Sequence, residues 1–225
     1  MCGRFVRHSS LDLIERTFSV DRVEPDADGP RYNIAPSQGV WAVVKDDGRR
    51  LVRLRWGLVP FWAKDPGIGN RLINARAESV ETKPAFRSAF RKRRCLIVAD
   101  GFYEWKGRKG RKQPFYLTLA EAQPVGFAGL WELWRNPQSG EELRSCTILT
   151  TGAAQSIKDI HDRMPVVLKS EFRDGWLDPG AETGRLKQML FDGVETEFRR
   201  RPVSRHVNRV QNDDPQCIEE VAPED

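Results

Sequence analysis

The feature that most constrains this chain is a series of four apolar, strand-like segments. They read CLIVADGFYEW from Cys95, PFYLTLA from Pro114, VGFAGLWELW from Val125 and RSCTILTT from Arg144. Their β-branched and aromatic residues, bounded by Gly, Pro and charged positions, favour strands over helices. Residues 40–44 and 51–56 add two more, joined across Asp46-Asp47-Gly48 by a hairpin turn, and residues 164–168 add another. Helical periodicity is confined to short stretches. One helix follows Ser9 or Ser10 as N-cap, with Leu11, Ile14 and Phe18 facing inward. A second covers residues 83–93, with Phe86 and Phe90 on one face, and shorter ones fall at 153–158, 171–176 and 182–191. RYNIAPSQ at 31–38 reads as loop, and Pro60, Pro66, Gly67 and Gly69 break the chain into a long loop carrying Trp56, Phe61 and Trp62. These elements predict an α+β fold: one domain with a mostly antiparallel, barrel-like curled sheet and short flanking helices.

No apolar run approaches the roughly 18 to 20 residues that cross a bilayer. The start, MCGRFVRHSS, has no apolar stretch of signal-peptide kind, so an intracellular protein without a membrane partner is expected. Residues 211–225 carry six acids and no Lys or Arg, which leaves 37 basic against 26 acidic residues in the rest of the chain. A body that basic either attracts polyanions, nucleic acid first among them, or is simply well solvated. Cys2, Cys95, Cys146 and Cys217 lie far apart, without a C-x-x-C pair, and His8, His161 and His206 form no ligand motif. That argues against a structural zinc, and no organic cofactor is indicated. Cys95 and Cys146 sit in apolar runs as small core residues.

Cys2 is different. With Met1 removed it offers an α-amine and a thiol on adjacent carbons, titrating near ~8 and ~8.5 in ordinary surroundings. Together they can close on an aldehyde as a thiazolidine ring, which no internal cysteine can do. The alternative is an ordinary residue at a frayed end. Asn74 in LINARAE can orient the terminal amine or a sugar oxygen, or cap a helix; Arg76 can hold a phosphate or pair with an acid. Glu104 in DGFYEW is either a buried proton shuttle or an acid on a wet strand face. His161 in IHDRMP is a loop acid/base or a satisfied structural histidine, and Arg163 either clamps a phosphate or pairs with Asp162. Trp56, Phe61 and Trp62 stack on bases or fill the core. The basic runs at 91–94 and 106–112 read as a solvated helix end and a hairpin tip, outside the site.

Taken in order, MCGRF, RYNIAPSQ, RWGLVPFWAKD, INARAES, CLIVADGFYEW and IHDRMP resemble the SOS-response-associated peptidase (SRAP) family, from Cys2 to about Leu168. Its members include bacterial abasic-site processing proteins and a eukaryotic sensor of abasic sites. The resemblance implies a single SRAP-type domain over residues 2–192, followed by an extension at 193–225 with an acidic tail. It implies covalent capture of abasic sites in single-stranded DNA, or at its junctions with duplex, through a thiazolidine at Cys2. By motif match Asn74 positions the cysteine and sugar, Glu104 moves protons as the sugar ring opens, and His161 assists imine formation and its reversal. Arg4, Arg76 and Arg163 hold phosphates, while Asn33, Pro36, Trp62 and Trp105 shape the DNA groove. Lyase activity, and self-cleavage exposing Cys2, come with the family. The expected protein is a monomer, nucleoid-associated in a bacterial cytoplasm or nuclear in a eukaryote. A glutamine amidotransferase using the same terminal thiol is the rival enzyme, and a non-covalent single-stranded DNA-binding module the rival binder.

Overall fold

The strands in chain order are β1 (Phe5–Arg7), β2 (Arg22–Val23), β3 (Arg31–Ile34), β4 (Gly39–Asp46), β5 (Gly48–Trp56), β6 (Asn74–Arg76) and β7 (Arg94–Ala99). They continue with β8 (Gly101–Lys106), β9 (Gln113–Thr118), β10 (Val125–Arg135), β11 (Glu142–Gly152), β12 (Arg163–Pro165), β13 (Val167–Leu168) and β14 (Arg199–Pro202). Four helices accompany them: α1 (Leu11–Phe18), α2 (Arg87–Lys92), α3 (Arg173–Leu177) and α4 (Thr183–Asp192). The structure, a computed structural model, describes residues 2–25, 28–108, 111–121 and 123–222. Met1, the tip of the KGRKGRK hairpin at 109–110 and the last acids, Glu224 and Asp225, lie outside the described residues.

The four segments that dominate the sequence become β7 with β8, β9, β10 and β11. β5, β4, β7, β10 and β11 are antiparallel neighbours in that order, and β11 returns to β5 in parallel (Ser145 opposite Arg55, Cys146 opposite Trp56), closing a five-stranded barrel. β6 continues along the same edge of β11, with Ile148 opposite Asn74 and Thr150 opposite Arg76. The second sheet runs β14-β9-β8-β1-β3, all antiparallel. Phe5 of β1 joins the two layers: its ring packs edge-on against Trp56 (5.2 Å) and Phe127 (5.7 Å) of the barrel. Burying such a ring stabilises the fold by about 1.5–3 kcal/mol, and each edge-on pair adds about 0.5–1.5 kcal/mol. It also fixes the chain three residues from Cys2.

Ser10 is the N-cap of α1, its hydroxyl accepting from Leu13 N–H, and Ile14 and Phe18 are buried as expected. Three expectations change. RYNI of the expected loop is strand β3, paired with β1 (Phe5 opposite Ile34), because its partner strand is itself only three residues long and leaves no alternation to read. The helix expected over 83–93 shortens to α2; Pro84 disfavours helical geometry at Lys83, and residues 79–86 form turns instead. Residues 155–160 are turns, not helix. After residue 193 the chain adds β14 to the edge of β9. It then packs Val203, Val207 and Cys217 against Val6, Tyr103 and Tyr116. Among the described residues no helix is long and apolar enough to cross a membrane.

Candidate functional site

The pairing of β1 with β8 sets the site. Phe5 lies opposite Phe102 and Val6 opposite Gly101, and Tyr103 N–H donates to Arg4 C=O (3.0 Å), so the same register brings residue 3 opposite Glu104. Cys2 thereby ends beside the Glu104 carboxyl. Sequence reasoning gave Cys2 an ordinary thiol; in the structure its side chain is fully buried. Burial, reinforced by the charge of Glu104, pushes the thiol pKa well up, so the sulfur is held as S–H at neutral pH. The Asn74 carboxamide, at the start of β6, donates from Nδ2 to the Cys2 carbonyl (2.8 Å). Its Oδ1 is buried without a hydrogen-bond partner among the described residues.

Glu104 is 5% exposed, and burial raises its pKa to about 7. A carboxyl poised there can give and take protons at neutral pH. His161 follows the turns at 155–160. Burial lowers its pKa, and its Nδ1 lies against Arg163 N–H (2.9 Å), Arg163 C=O (3.1 Å) and the Asp162 carboxylate (3.1 Å). Glu104 and His161 share electrostatic neighbours, Asp162 and Lys112, which places both groups in one neighbourhood. Lys112 was read from sequence as part of an exposed tip, and its charge reaches both of them. A cavity of ≈ 450 Å³ lined by His8, Asp100, Tyr116 and Arg199 includes none of these four site residues.

The remaining site residues divide by what holds them. Arg76 is exposed and makes no ion pair among the described residues, leaving its guanidinium available to an anion. Arg163 is pinned by a two-pronged ion pair to Glu78 (2.5 and 3.0 Å) and by Thr150 C=O (2.7 Å), not by Asp162. Arg4 donates to Asn33 Oδ1 (2.7 Å) and Val207 C=O (2.9 Å) and lies over the Trp105 ring. Asn33 is fully buried, so it shapes a groove only through Arg4 and the segment its amide holds. Pro36 is half-buried in the turn after β3. Phe61 and Trp62 are 57% and 49% exposed, whereas Trp56 is core, donating from Nε1 to Ile73 C=O (2.8 Å).

The model of the family described as SOS response associated peptidase (SRAP) matches residues 1–210. The chain belongs to the SRAP family. It is 42% identical over 223 residues to the abasic site processing protein YoqW of Bacillus subtilis (strain 168), covering 97% of this chain and 99% of YoqW. To the abasic site processing protein YoaM of the same organism it is 41% identical, covering 97% and 98%. A solved structure of a protein from Bacteroides thetaiotaomicron superposes with a TM-score of 0.82 at 20% identity, covering 98% of this chain and 100% of that one, a likeness of fold.

The part of this SRAP chain that sequence motifs left without a role is the stretch after about residue 193, and its described residues reach Trp105 and Asn33. Asn208 Oδ1 accepts from Trp105 Nε1 (2.8 Å). Asp213 accepts from Asn33 N–H (2.9 Å), Tyr32 N–H (2.5 Å) and the Arg31 guanidinium. His206, Asp214 and Cys217 bring three metal-type ligand atoms within 4.8 Å of one another. They are engaged internally: His206 Nε2 with Asp214 (2.9 Å), and the Cys217 thiol with Asn212 C=O (3.3 Å). The available signal was the Asn-Asp-Asp-Pro run at 212–215, a turn former rather than a disordered acidic tail.

Proposed function

We propose that this chain captures abasic sites in single-stranded DNA by a covalent bond at Cys2, as the first residue of the processed polypeptide. The single observation that carries the reading is the convergence at residue 2: its carbonyl held by Asn74, its thiol buried beside a carboxyl tuned to about 7. An amine and a thiol on adjacent carbons, with a neutral-range acid/base next to them, suit an aldehyde. YoqW and YoaM carry the name abasic site processing protein, which supports that aldehyde being the ring-opened deoxyribose of an abasic site.

The chemistry follows from the groups present. Glu104 takes the proton of the sugar C1 hydroxyl and returns one to the ring oxygen, opening the hemiacetal to the aldehyde. The Cys2 amine adds to the aldehyde carbon, and one water leaves as the imine forms. His161, whose ring burial biases toward the neutral form, assists that proton transfer and its reversal. Because burial keeps sulfur protonated, the thiol closes second: sulfur bonds to the imine carbon, its proton passes to Glu104, and the nitrogen is reprotonated. The sum is amine plus thiol plus aldehyde giving thiazolidine and one water. Asn74 holds residue 2 in line, which lowers the entropic barrier to both additions. Arg76 meets a phosphate, and exposed Trp62 stacks on a flanking base. Arg4 and Trp105 form one wall of the groove; Arg163 can grip a phosphate only by leaving Glu78.

The test is incubation with a single-stranded oligonucleotide carrying one abasic site, followed by a denaturing gel. The wild-type chain gives a slow-migrating adduct, and Cys2→Ala gives none. Cys2→Ser and Cys2→Ala both keep the terminal amine, so each forms only a labile imine that does not survive the gel. An adduct of undiminished yield from Cys2→Ala contradicts the reading.

A further inference from the structure

Three segments that the reaction does not use meet at one point beside the site. Arg55, near the end of β5, donates from Nη2 to Asn70 Oδ1 (3.0 Å) and lies 3.4 Å from Ser37 Oγ, which itself donates to Asn70 Oδ1 (3.1 Å). Its other terminal nitrogen, Nη1, is buried without a hydrogen-bond partner among the described residues. The backbone builds this meeting. Gly57 adopts φ +126° and packs on Gly69, so closely that a Cβ on Gly69 would stand 2.6 Å from Gly57 C=O and 2.9 Å from Arg55 Nη1. Only glycine permits the 3-10 turn Pro66–Arg71 to lie on the end of β5 and present Asn70 there. Ser37 is held at φ +72°, a left-handed conformation unusual for serine, by its N–H bond to Trp56 C=O (2.8 Å).

The charge there is uncompensated. Arg7, Arg31, Arg93 and Arg163 pair with carboxylates. Arg55, Arg71 and Arg76 make no ion pair among the described residues, and Arg55 has only neutral oxygens beside it. A guanidinium so placed, with a hydroxyl and a carboxamide alongside, matches a phosphodiester, whose oxygens accept from the guanidinium and the Asn70 Nδ2, and from Ser37 once its hydroxyl turns from Asn70 Oδ1. The position suits a strand passing through the site. On one edge of β11, Ser145 faces Arg55 and Ile148 faces Asn74. Three strand residues separate the two points, about 10 Å. Arg71 continues the line into a depression that it shares with Trp62.

We infer that Arg55, Ser37 and Asn70 form a seat for a backbone phosphodiester of the captured strand, next to the reacting sugar and not at it. This rests on the reading that the chain takes single-stranded DNA. The experiment is fluorescence anisotropy of a labelled, undamaged single-stranded oligonucleotide across a range of salt concentrations. Two variants are compared with the wild-type chain: Arg55→Gln, and Asn70→Asp, whose exposed carboxylate neutralises Arg55 without disturbing the core. Each weakens binding roughly tenfold at low salt, and the slope of log affinity against log salt becomes shallower by about 0.7, one phosphate contact on a single strand. With an abasic oligonucleotide, the concentration giving half-maximal adduct rises in parallel. Should Arg55→Gln fail to fold, Asn70→Asp carries the test. Affinity and slope equal to wild type in the folded variants overturn the seat. Absence of adduct from the wild-type chain sinks the Cys2 chemistry instead, and the binding arm still reads the seat independently.

Discussion

Glu104 shows how one buried residue links stability to chemistry. Burial lifts its carboxyl to about 7 from an ordinary value near ~4.3. Below the unfolded value both states are protonated and the folded chain carries no penalty. Above it the unfolded chain ionises first, so stability falls as pH rises from about 4.5 through 7, by up to about 3 kcal/mol. Glu104→Gln keeps the shape and removes the charge. Denaturant titrations between pH 5 and 8 should therefore show a flatter profile than wild type. The same variant should slow adduct formation by about 10²- to 10⁴-fold and abolish the limb of the pH–rate profile near 7. A slower rate with the limb intact would assign that limb to another group. The acid itself was legible in DGFYEW. Its environment was not, because β8 is buried on both faces over residues 101–104, and that depends on the sheet it joins. Cys2 likewise stood out in the sequence as a candidate nucleophile, while its burial was not legible.

At the level of elements, the site depends on two short pieces held by contacts remote in sequence. The β1 segment is anchored by Phe5 between the layers, and Phe5→Ala should cost about 3–5 kcal/mol in denaturant titration. The turns that carry His161 are tied to the second sheet by Asp159, which bridges Lys106 on β8 (2.6 Å) and Arg200 on β14 (2.7 Å). These partners are about half-exposed, so the bridge is worth at most about 1 kcal/mol. Asp159→Asn should leave global stability nearly unchanged while speeding hydrogen exchange at 155–162, more so at low salt, where the wild-type bridge is strongest. Equal exchange in the two proteins would free the turns from this clasp. The hairpin β4–β5 and helix α1 were readable because their signals are local: an Asp-Gly turn, a serine cap and apolar spacing. β3 and β6 were not, because each is a strand only by virtue of its partner.

Across the whole molecule, the C-terminal residues complete the second sheet and hold Asn33 and Trp105, which the proposal places at the DNA groove. Asp213 ties the strand that carries Asn33, Asn33 holds Arg4, and Asn208 holds Trp105. Asp213→Ala leaves two backbone N–H groups without their acceptor and should cost about 1–3 kcal/mol, read by thermal or chemical denaturation. It should also loosen Arg4 and weaken DNA binding, whereas full stability in this variant would make the contact incidental. The barrel was foreseeable from the count and spacing of apolar strands; its closure by a parallel β11–β5 contact was not, since that pairing joins residues ninety apart. The proposed capture turns on one residue, Cys2, and peptide mass spectrometry of the purified adduct questions it directly. After digestion and treatment with iodoacetamide, the N-terminal peptide should begin at Cys2, carry the sugar remnant less one water, and remain unalkylated because sulfur and nitrogen are both in the ring. A peptide that still begins with Met1, or a remnant attached elsewhere while Cys2 takes up the alkyl group, contradicts the account.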